Sequence, residues 1–436
     1  MMAEDFIFYL KQNIGSPSQA VVKAGDTVER GELIAAKPKS LGANLHSSVT
    51  GRVLQVTEKE IVIRETGTDF SSYKKLEGKT PWELVVEAGL IGLGGAGFPT
   101  DVKLRTRLSS KGTAIINAVE CEPVLAHNIA RIEEDAEKLL EALQIILELL
   151  QVKIGMIAIK KIHKKAIAAL KTADKEKRYQ IVELEDMYPT GEERAIIRDT
   201  LHILLPTDAL PSQADAVIFN AETALRIREA IVEKKPLIDK DITVAGKLKE
   251  NASIRIIKNV PVGKKVSGVF EQAGGLNDEF GEIIMGGPFT GKRTTPEEAV
   301  QKTTGGLIVS ECFFHETGSI GLLVCACGAD ERRLEEIAVS MGSRVCGTEY
   351  CKQAVKHGEA LKCENPGHCP GQVEKIMKLK KAGAEAVLIS NCTDCTNTVM
   401  SCAPKLGLKV FHCTDQVLRA VNHRLIRKYH KTEENQ

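Results

Sequence analysis

The sequence predicts a multidomain α/β protein, and three observations carry that prediction. At 436 residues the chain exceeds what one ordinary core accommodates, so several domains are expected. From residue 82 to about 240, short apolar runs alternate with segments of helical period, as parallel strands joined by helices do. The twelve cysteines are segregated: Cys121 stands alone in the first 311 residues and eleven follow from Cys312 onward. Thiols confined to one part of a long chain point to metal, cluster or redox chemistry rather than to a disulfide scaffold.

Composition narrows the function classes. Hydrophobic residues make up 43% and charged residues 27%, the balance of a soluble globular protein. A formal net charge of +1 and an aromatic content of 4% supply neither the electrostatic footprint nor the stacking platform of a nucleic-acid binder. The lysines between Lys160 and Arg178 alternate with alanines at helical spacing and read as one solvated helix face. The opening MMAEDFIFYLKQ is acidic where a signal peptide is basic, and the apolar stretch 139–159 is broken by Glu141, Glu148 and Lys153. A cytoplasmic protein with no direct membrane insertion is expected, with membrane association coming only through a partner.

Residues 1–70 contain short alternating apolar segments punctuated by turns, QAVVKAGDTVERGELIAA and LHSSVTGRVLQVTEKEIVIRE. The phrases Val-Lys-Ala-Gly-Asp-Thr-Val and Ser-Ser-Val-Thr-Gly-Arg-Val predict a biotinyl/lipoyl-like β-sandwich. A carrier version needs an exposed lysine at its hairpin tip, and the turn Ala43-Asn44-Leu45-His46-Ser47 has none. A structural module without a swinging arm is therefore expected, followed by a polar linker over 69–80.

The second domain, 80–240, is a doubly wound α/β layout in which ligands sit at the carboxyl ends of strands. Its organising stretch is I-G-L-G-G-A-G-F-P-T-D-V-K, residues 91–103. Gly92, Gly94, Gly95 and Gly97 remove side chains that would hold a flat ligand or a phosphate away from the backbone, and they permit amide groups to form an anion-binding concavity. Lys103 follows one turn into the next helix. The strand ends downstream carry polar groups: Asn117-Ala118-Val119-Glu120-Cys121-Glu122-Pro123 and Asn220-Ala221-Glu222-Thr223. Cys121, between two glutamates, has its thiol pKa raised and reads as structural.

GLGGAGFPTDVK, NAVECEP, YPTGEE (Tyr188 to Glu193) and FNAETA occur in the order of the flavin-binding domain of two related groups. The chain resembles the flavoprotein subunit of respiratory NADH dehydrogenases and, more closely, the C subunit of Rnf-type ferredoxin–NAD complexes. The N-terminal sandwich, KPLIDKDITVAG (235–246) and KNVPVGKKVSGVFEQAGGLNDEFGEIIMGGPFTG (258–291) carry the second likeness, and residues 241–300 resemble a small β-grasp (SLBB-like) domain. The resemblance implies that Gly92, Gly94, Gly95 and Gly97 approach FMN and the nicotinamide nucleotide, and that Lys103 pairs with a phosphate. It implies further that Asn117 and Asn220 hydrogen-bond the flavin, and that Glu120, Glu122 and Glu193 line the pocket for NADH. Val119 stands where the dehydrogenase flavoprotein has an acidic residue.

Residues 310–436 are expected to form a cysteine-rich α/β redox domain. Rnf C subunits go on with two C-x2-C-x2-C-x3-C-P runs for [4Fe–4S] clusters, and this chain has neither. It carries instead Cys325-x-Cys327, Cys346-x4-Cys351, Cys363-x5-Cys369 and Cys392-x2-Cys395, then Cys402 and Cys413. GSIGLLVCACG, GEALKCENPGHC, AEAVLISNCTDC and LKVFHCTD each read as a strand ending in cysteine before a helix, which predicts thiols converging on one edge of a parallel sheet. An iron–sulfur cluster, a redox dithiol of Cys392 with Cys395, and a structural zinc all fit that pattern. His368 and His412 adjoin cysteines; each reads first as an ordinary surface histidine and second as a candidate ligand.

The segment NCTDCTNTVMSCAPKLGLKVFHCTD resembles that of the electron-transfer proteins associated with D-proline reductase, a family of Rnf C-like chains. The resemblance implies an electron-transfer flavoprotein that takes electrons from NADH through FMN and a cysteine-rich centre to a partner reductase. An alternative is a flavin-free adaptor docking to an Rnf-type membrane complex or a reductase. A zinc hydrolase lacks any HExxH motif.

Overall fold

The computed structural model describes residues 3–67, 69–249, 254–358 and 360–427. Its strands fall into several separate sheets, and the domain order follows the chain.

The N-terminal unit is antiparallel. Asp5–Tyr9, Glu60–Glu65, Gly51–Val56 and Thr27–Val28 lie in that order, facing a second sheet of Gln19–Ala20, Leu33–Ala36 and Leu45–His46. The alternation in DFIFY and EIVIRE turns Phe6, Phe8, Ile61 and Ile63 inward to a core with Ile34, Leu45 and Val53. The turn that lacks a carrier lysine is buried. Leu45, His46 and Ser47 are almost fully enclosed, and Asn44 Nδ2 donates to the Glu87 carbonyl of the next domain at 3.0 Å.

The second unit opens with a capped helix, Pro81–Glu87, in which Thr80 and Glu83 form a reciprocal capping box and proline sits in the first turn. Its sheet is wholly parallel, with Gln180–Leu184, Ile154–Lys160, Thr113–Ala118 and Ala216–Asn220 in that order. The first strand in sequence, Thr113–Ala118, therefore lies between the second and the last. The order reverses there, and Asn117 pairs in register with Asn220 across the reversal. The long helix His127–Leu150 covers one face, burying Ile132, Leu139, Leu143 and Ile146.

The third unit is a mixed five-stranded sheet, Ile254–Pro261, Asp239–Gly246, Gly306–Val309, Ile283–Met285 and Lys292–Thr294, with the helix Val266–Gln272 packed on it through Val266, Val269 and Phe270. Its central strand, Gly306–Val309, lies beyond the expected 241–300 segment, because it pairs parallel to Asp239–Gly246 and closes the sheet.

The cysteine-rich unit holds a second parallel sheet, Arg344–Tyr350, Ser319–Val324, Ala386–Ile389 and Lys409–His412. Its order also reverses, between Ser319–Val324 and Ala386–Ile389. One expected strand is not part of it. Ala360–Cys363 pairs antiparallel with Ala354–His357 in a separate hairpin, since the short connection between these runs brings one back along the other. Among the described residues, no helix is long and apolar enough to cross a membrane.

Candidate functional site

Open parallel sheets bind ligands at the point where strand order reverses, outside the carboxyl ends of the strands. This chain has two such points, and both open on one cleft of about 1440 Å³. The cleft wall runs from Gly94, Gly95, Asn117, Glu120 and Asn220 to Cys327 and Cys363.

At the first reversal the glycine stretch folds as a closed turn, with Gly92 N–H donating to the Phe98 carbonyl at 2.8 Å and Ile91 bridging Pro99. Gly97 has φ of +71°, which favours glycine, and it packs against Gln12 and Asn13 of the first domain. A side chain at Gly94 would meet Asn220 Nδ2 at 2.6 Å. A side chain at Gly95 would meet nothing within 4 Å, so the turn presents bare backbone to the cleft. Asn220 Oδ1 caps the following helix through the Glu222 and Thr223 amides at 2.9 and 3.4 Å. Asn117 is likewise used in place, donating to the Gly191 carbonyl at 2.9 Å and accepting from Val119 N–H at 3.0 Å. Glu120 accepts from Asn128 at 2.8 Å.

Glu122 lines the same cleft. Its carboxylate accepts from the backbone of Phe289 and Thr290 at 2.8 and 2.9 Å, tying this strand end to the third unit, and burial pushes its pKa up to about 7. Burial, with Glu122 beside it, pushes the Cys121 thiol up to about 12. Lys103 and Glu193 pair with each other at 2.6 Å, and neither is among the residues lining the cleft.

At the second reversal the thiols of Cys325, Cys351 and Cys395 lie within 4.8 Å of one another, all buried. Cys325 follows one switch-point strand and Cys395 sits in the helix Thr393–Cys402 that follows the other, while Cys351 ends the neighbouring strand Arg344–Tyr350. Cys369 Sγ is 2.9 Å from Cys395 Sγ, and that thiol's hydrogen bond pulls Cys369 down to about 7. Over three of these sulfurs sits Gln372, wholly buried, with Nε2 at 3.1 Å from Cys351, 3.5 Å from Cys395 and 3.7 Å from Cys369. Cys327 has Cys325, Cys363 and Cys392 as thiol neighbours, which extends the network to seven thiols. Cys346 is not part of it. It lies inside a strand, on the sheet face packed against Leu379 and Val399, and its thiol donates to the Ile320 carbonyl at 3.4 Å. Cys402 and Cys413 also stand apart. His368 is exposed as expected, but His412 is buried rather than at the surface, because both its ring nitrogens are engaged inside the domain, by Thr414 and the Asn391 carbonyl.

Several residues that join the two centres carry no chemical signal in the sequence. Tyr188 stacks on Phe289 with ring centroids 3.6 Å apart, and its hydroxyl donates to the Cys327 carbonyl. Arg194 Nη2 donates to the Cys363 carbonyl at 2.5 Å, and Arg198 to that of Pro366 at 2.6 Å. YPTGEE thus begins a docking edge that fastens the cysteine domain to the cleft. FNAETA has a structural duty as well: buried Glu222 pairs with Arg226 at 3.2 Å and with Lys240 of the phrase KPLIDKDITVAG.

The donor sets suit the groups these features imply. Gly95, without a side chain and facing open space, allows a flat ring or a phosphate against the backbone, and Arg194 Nη1 and Thr190 Oγ1 are buried donors lacking partners. Three thiols within 4.8 Å of one another, with Cys369 against one of them and a buried amide over the group, suit a thiolate-ligated metal. The class defined by fold and site is that of an oxidoreductase component handling a flavin and thiolate-bound metal. The family described as the Nuo51 FMN-binding domain matches residues 85–229, and the RnfC barrel sandwich hybrid domain matches residues 1–69. The C subunit of the proton-translocating ferredoxin:NAD(+) oxidoreductase complex of Clostridium ljungdahlii is 31% identical over 320 residues, covering 69% of each chain. Its counterpart in the Na(+)-translocating complex of Acetobacterium woodii is 29% identical, covering 73% of this chain and 75% of that one. A solved NAD+-reducing [NiFe]-hydrogenase aligns with a TM-score of 0.44 and 20% identity, over 53% of this chain and 47% of that one. The chain belongs to the family of C subunits of ferredoxin:NAD(+) oxidoreductase complexes.

Proposed function

We propose that this protein takes electrons from NADH through FMN bound at the first switch point and delivers them, through an iron–sulfur centre on Cys325, Cys351, Cys369 and Cys395, to a partner reductase. The observation that carries the reading is the shared cleft: the glycine turn and, across one volume of about 1440 Å³, Cys327 and Cys363 line the same wall, and Cys327 is two residues from buried Cys325 of the quartet. FMN, when bound, supplies the conversion of a two-electron hydride donor into single-electron steps. The residues supply the rest. Gly94 and Gly95 admit the flavin to the backbone, and Asn117 and Asn220 hold the turn and strand ends beneath it. Glu120 takes ribose hydroxyls of the dinucleotide, and Lys103 meets a phosphate by exchanging Glu193 for it. Glu122 holds the third unit, an SLBB-like β-grasp domain in this reading, against the site. Tyr188 and Phe289 stack between the cleft and the cysteine domain and exclude water there.

The partner we assign is D-proline reductase, on the likeness of NCTDCTNTVMSCAPKLGLKVFHCTD to the electron-transfer proteins of that system and on the absence of both ferredoxin-type runs from the sequence. The C subunits of ion-translocating complexes among its relatives support docking to an Rnf-type membrane complex as the alternative. A second reading of the metal is favoured by compactness. Three sulfurs within 4.8 Å bracket the edge of about 3.8 Å in a tetrahedron with ~2.3 Å metal–sulfur bonds, which suits a single zinc ion. An anaerobic ultraviolet–visible and EPR spectrum before and after NADH, with FMN, iron and zinc quantified on the denatured protein, tests all of this. Flavin bleaching and a reduced-cluster signal are expected. A flavin-free preparation from flavin-replete cells, or zinc without iron, overturns the corresponding half.

A further inference from the structure

Seven thiols linked in one network exceed what one four-thiolate centre uses, and the structure divides them. Cys325, Cys351 and Cys395 are grouped within 4.8 Å, and Gln372 donates to Cys351, Cys369 and Cys395. That leaves Cys327, Cys363 and Cys392. Cys392 is sealed in, whereas Cys327 and Cys363 line the cleft that contains the glycine turn. The two thiols are electrostatic neighbours on that wall, where Cys327 also adjoins Cys325 and Cys392. Their backbones are also fastened to the cleft by one short segment of the flavin-binding unit. Tyr188 hydroxyl donates to the Cys327 carbonyl, and Arg194 donates to the Cys363 carbonyl at 2.5 Å.

We propose that Cys327 and Cys363 form a second redox site, a dithiol–disulfide pair on the wall of the flavin cleft, separate from the metal-thiolate quartet. The inference rests on the proposed NADH–flavin chemistry for its natural reductant. In the reductive direction the Cys327–Cys363 S–S bond breaks and two S–H bonds form, taking two electrons and two protons. A dihydronicotinamide supplies both electrons and one proton as hydride and leaves as the oxidised nicotinamide, and solvent supplies the second proton. The pair is thereby a two-electron store between a hydride donor and a one-electron metal centre. It also offers the cleft a thiol exit toward disulfide-class acceptors.

The test is differential alkylation of the intact, metal-loaded protein, equilibrated anaerobically in oxidised glutathione and then treated with NADH or dithiothreitol. Peptides carrying Cys327 and Cys363 are expected to resist alkylation before reduction and to label about tenfold more afterwards, as a closed and an open disulfide do. In Cys363→Ser, and in Cys363→Ala as a second variant, Cys327 labels equally before and after reduction. Metal per chain is unchanged in both variants, while Cys395→Ser loses it. Opening by dithiothreitol but not by NADH upholds the pair and overturns the flavin reading. Equal labelling of both wild-type thiols before and after either reductant overturns the pair. So does loss of metal from both Cys363 variants in parallel with Cys395→Ser.

Discussion

Replacing Gln372 with leucine removes the amide that faces three sulfurs of the thiolate quartet while keeping nearly the same volume. Gln372 has no solvent exposure, and its Nε2 lies 3.1, 3.5 and 3.7 Å from Cys351, Cys395 and Cys369. A hydrogen bond to an ionised acceptor contributes about 1.5–3 kcal/mol. Only the difference between the oxidised and reduced centre moves a potential, and two of the three contacts are long, so about 1 kcal/mol is the fair share. For a one-electron couple a tenfold change is 59 mV, or ~1.4 kcal/mol, which places the shift near 40 mV. The sign follows from charge: the reduced centre is more negative, the N–H dipole favours it, and its loss lowers the midpoint potential. Gln372 Oε1 is buried without a partner, so leucine also removes an unsatisfied acceptor, and no loss of folding stability accompanies the shift. An anaerobic redox titration followed by EPR measures it, with iron determined on the same samples. A Gln372→Leu protein that retains its iron and titrates at or above the wild-type potential refutes the reasoning.

Three other perturbations separate structural from functional roles. Glu222→Ala strands Lys240 and Arg226 in a buried site, and urea unfolding should show a loss of about 3–5 kcal/mol. Glu122, raised by burial to about 7, favours the folded state when protonated. Its contribution is complete below the ordinary glutamate pKa of about 4.3 and is lost as pH rises through about 7, so the melting temperature of wild type relative to Glu122→Gln should fall across that window. Gly95→Ala meets no protein atom within 4 Å and should leave the melting temperature unchanged while lowering FMN per chain. Gly94→Ala displaces the Asn220 cap and should lower both, the cap alone being worth about 1 kcal/mol. Full FMN occupancy in Gly95→Ala would remove the glycine turn from the flavin site.

Much of the site is legible where its signal is local. The glycine turn and the strand-end positions of Asn117 and Asn220 are local features found where the sequence puts them, whereas the thiol of Cys121 is raised chiefly by burial and only secondarily by the neighbouring Glu122. Cys346 and the run Ala360–Cys363 differ. A cysteine inside a strand points to one sheet face, not to its edge, and spacing alone does not separate Cys346 from Cys351. The hairpin that carries Cys363 resembles a sheet strand in sequence because four alternating residues look alike in either setting. Lys103 reads in sequence as a partner for a ligand phosphate, but its carboxylate partner Glu193 lies 90 residues away along the chain.

What the sequence determined by itself is the inventory: the parallel α/β class, a glycine turn ahead of polar strand ends, an N-terminal turn with no carrier lysine, and eleven of twelve thiols gathered from Cys312 onward. Periodicity, turn chemistry and residue type are properties of short segments, so they survive without coordinates. Only the tertiary structure decided that both sheets reverse their strand order, and that the reversals open on one cleft. It likewise decided that Gln372 crowns Cys351, Cys369 and Cys395, and that Tyr188 and Arg194 fasten Cys327 and Cys363 to the flavin side. Strand order and domain docking depend on pairings between distant segments whose local patterns are alike, and the packing of the whole chain selects among them.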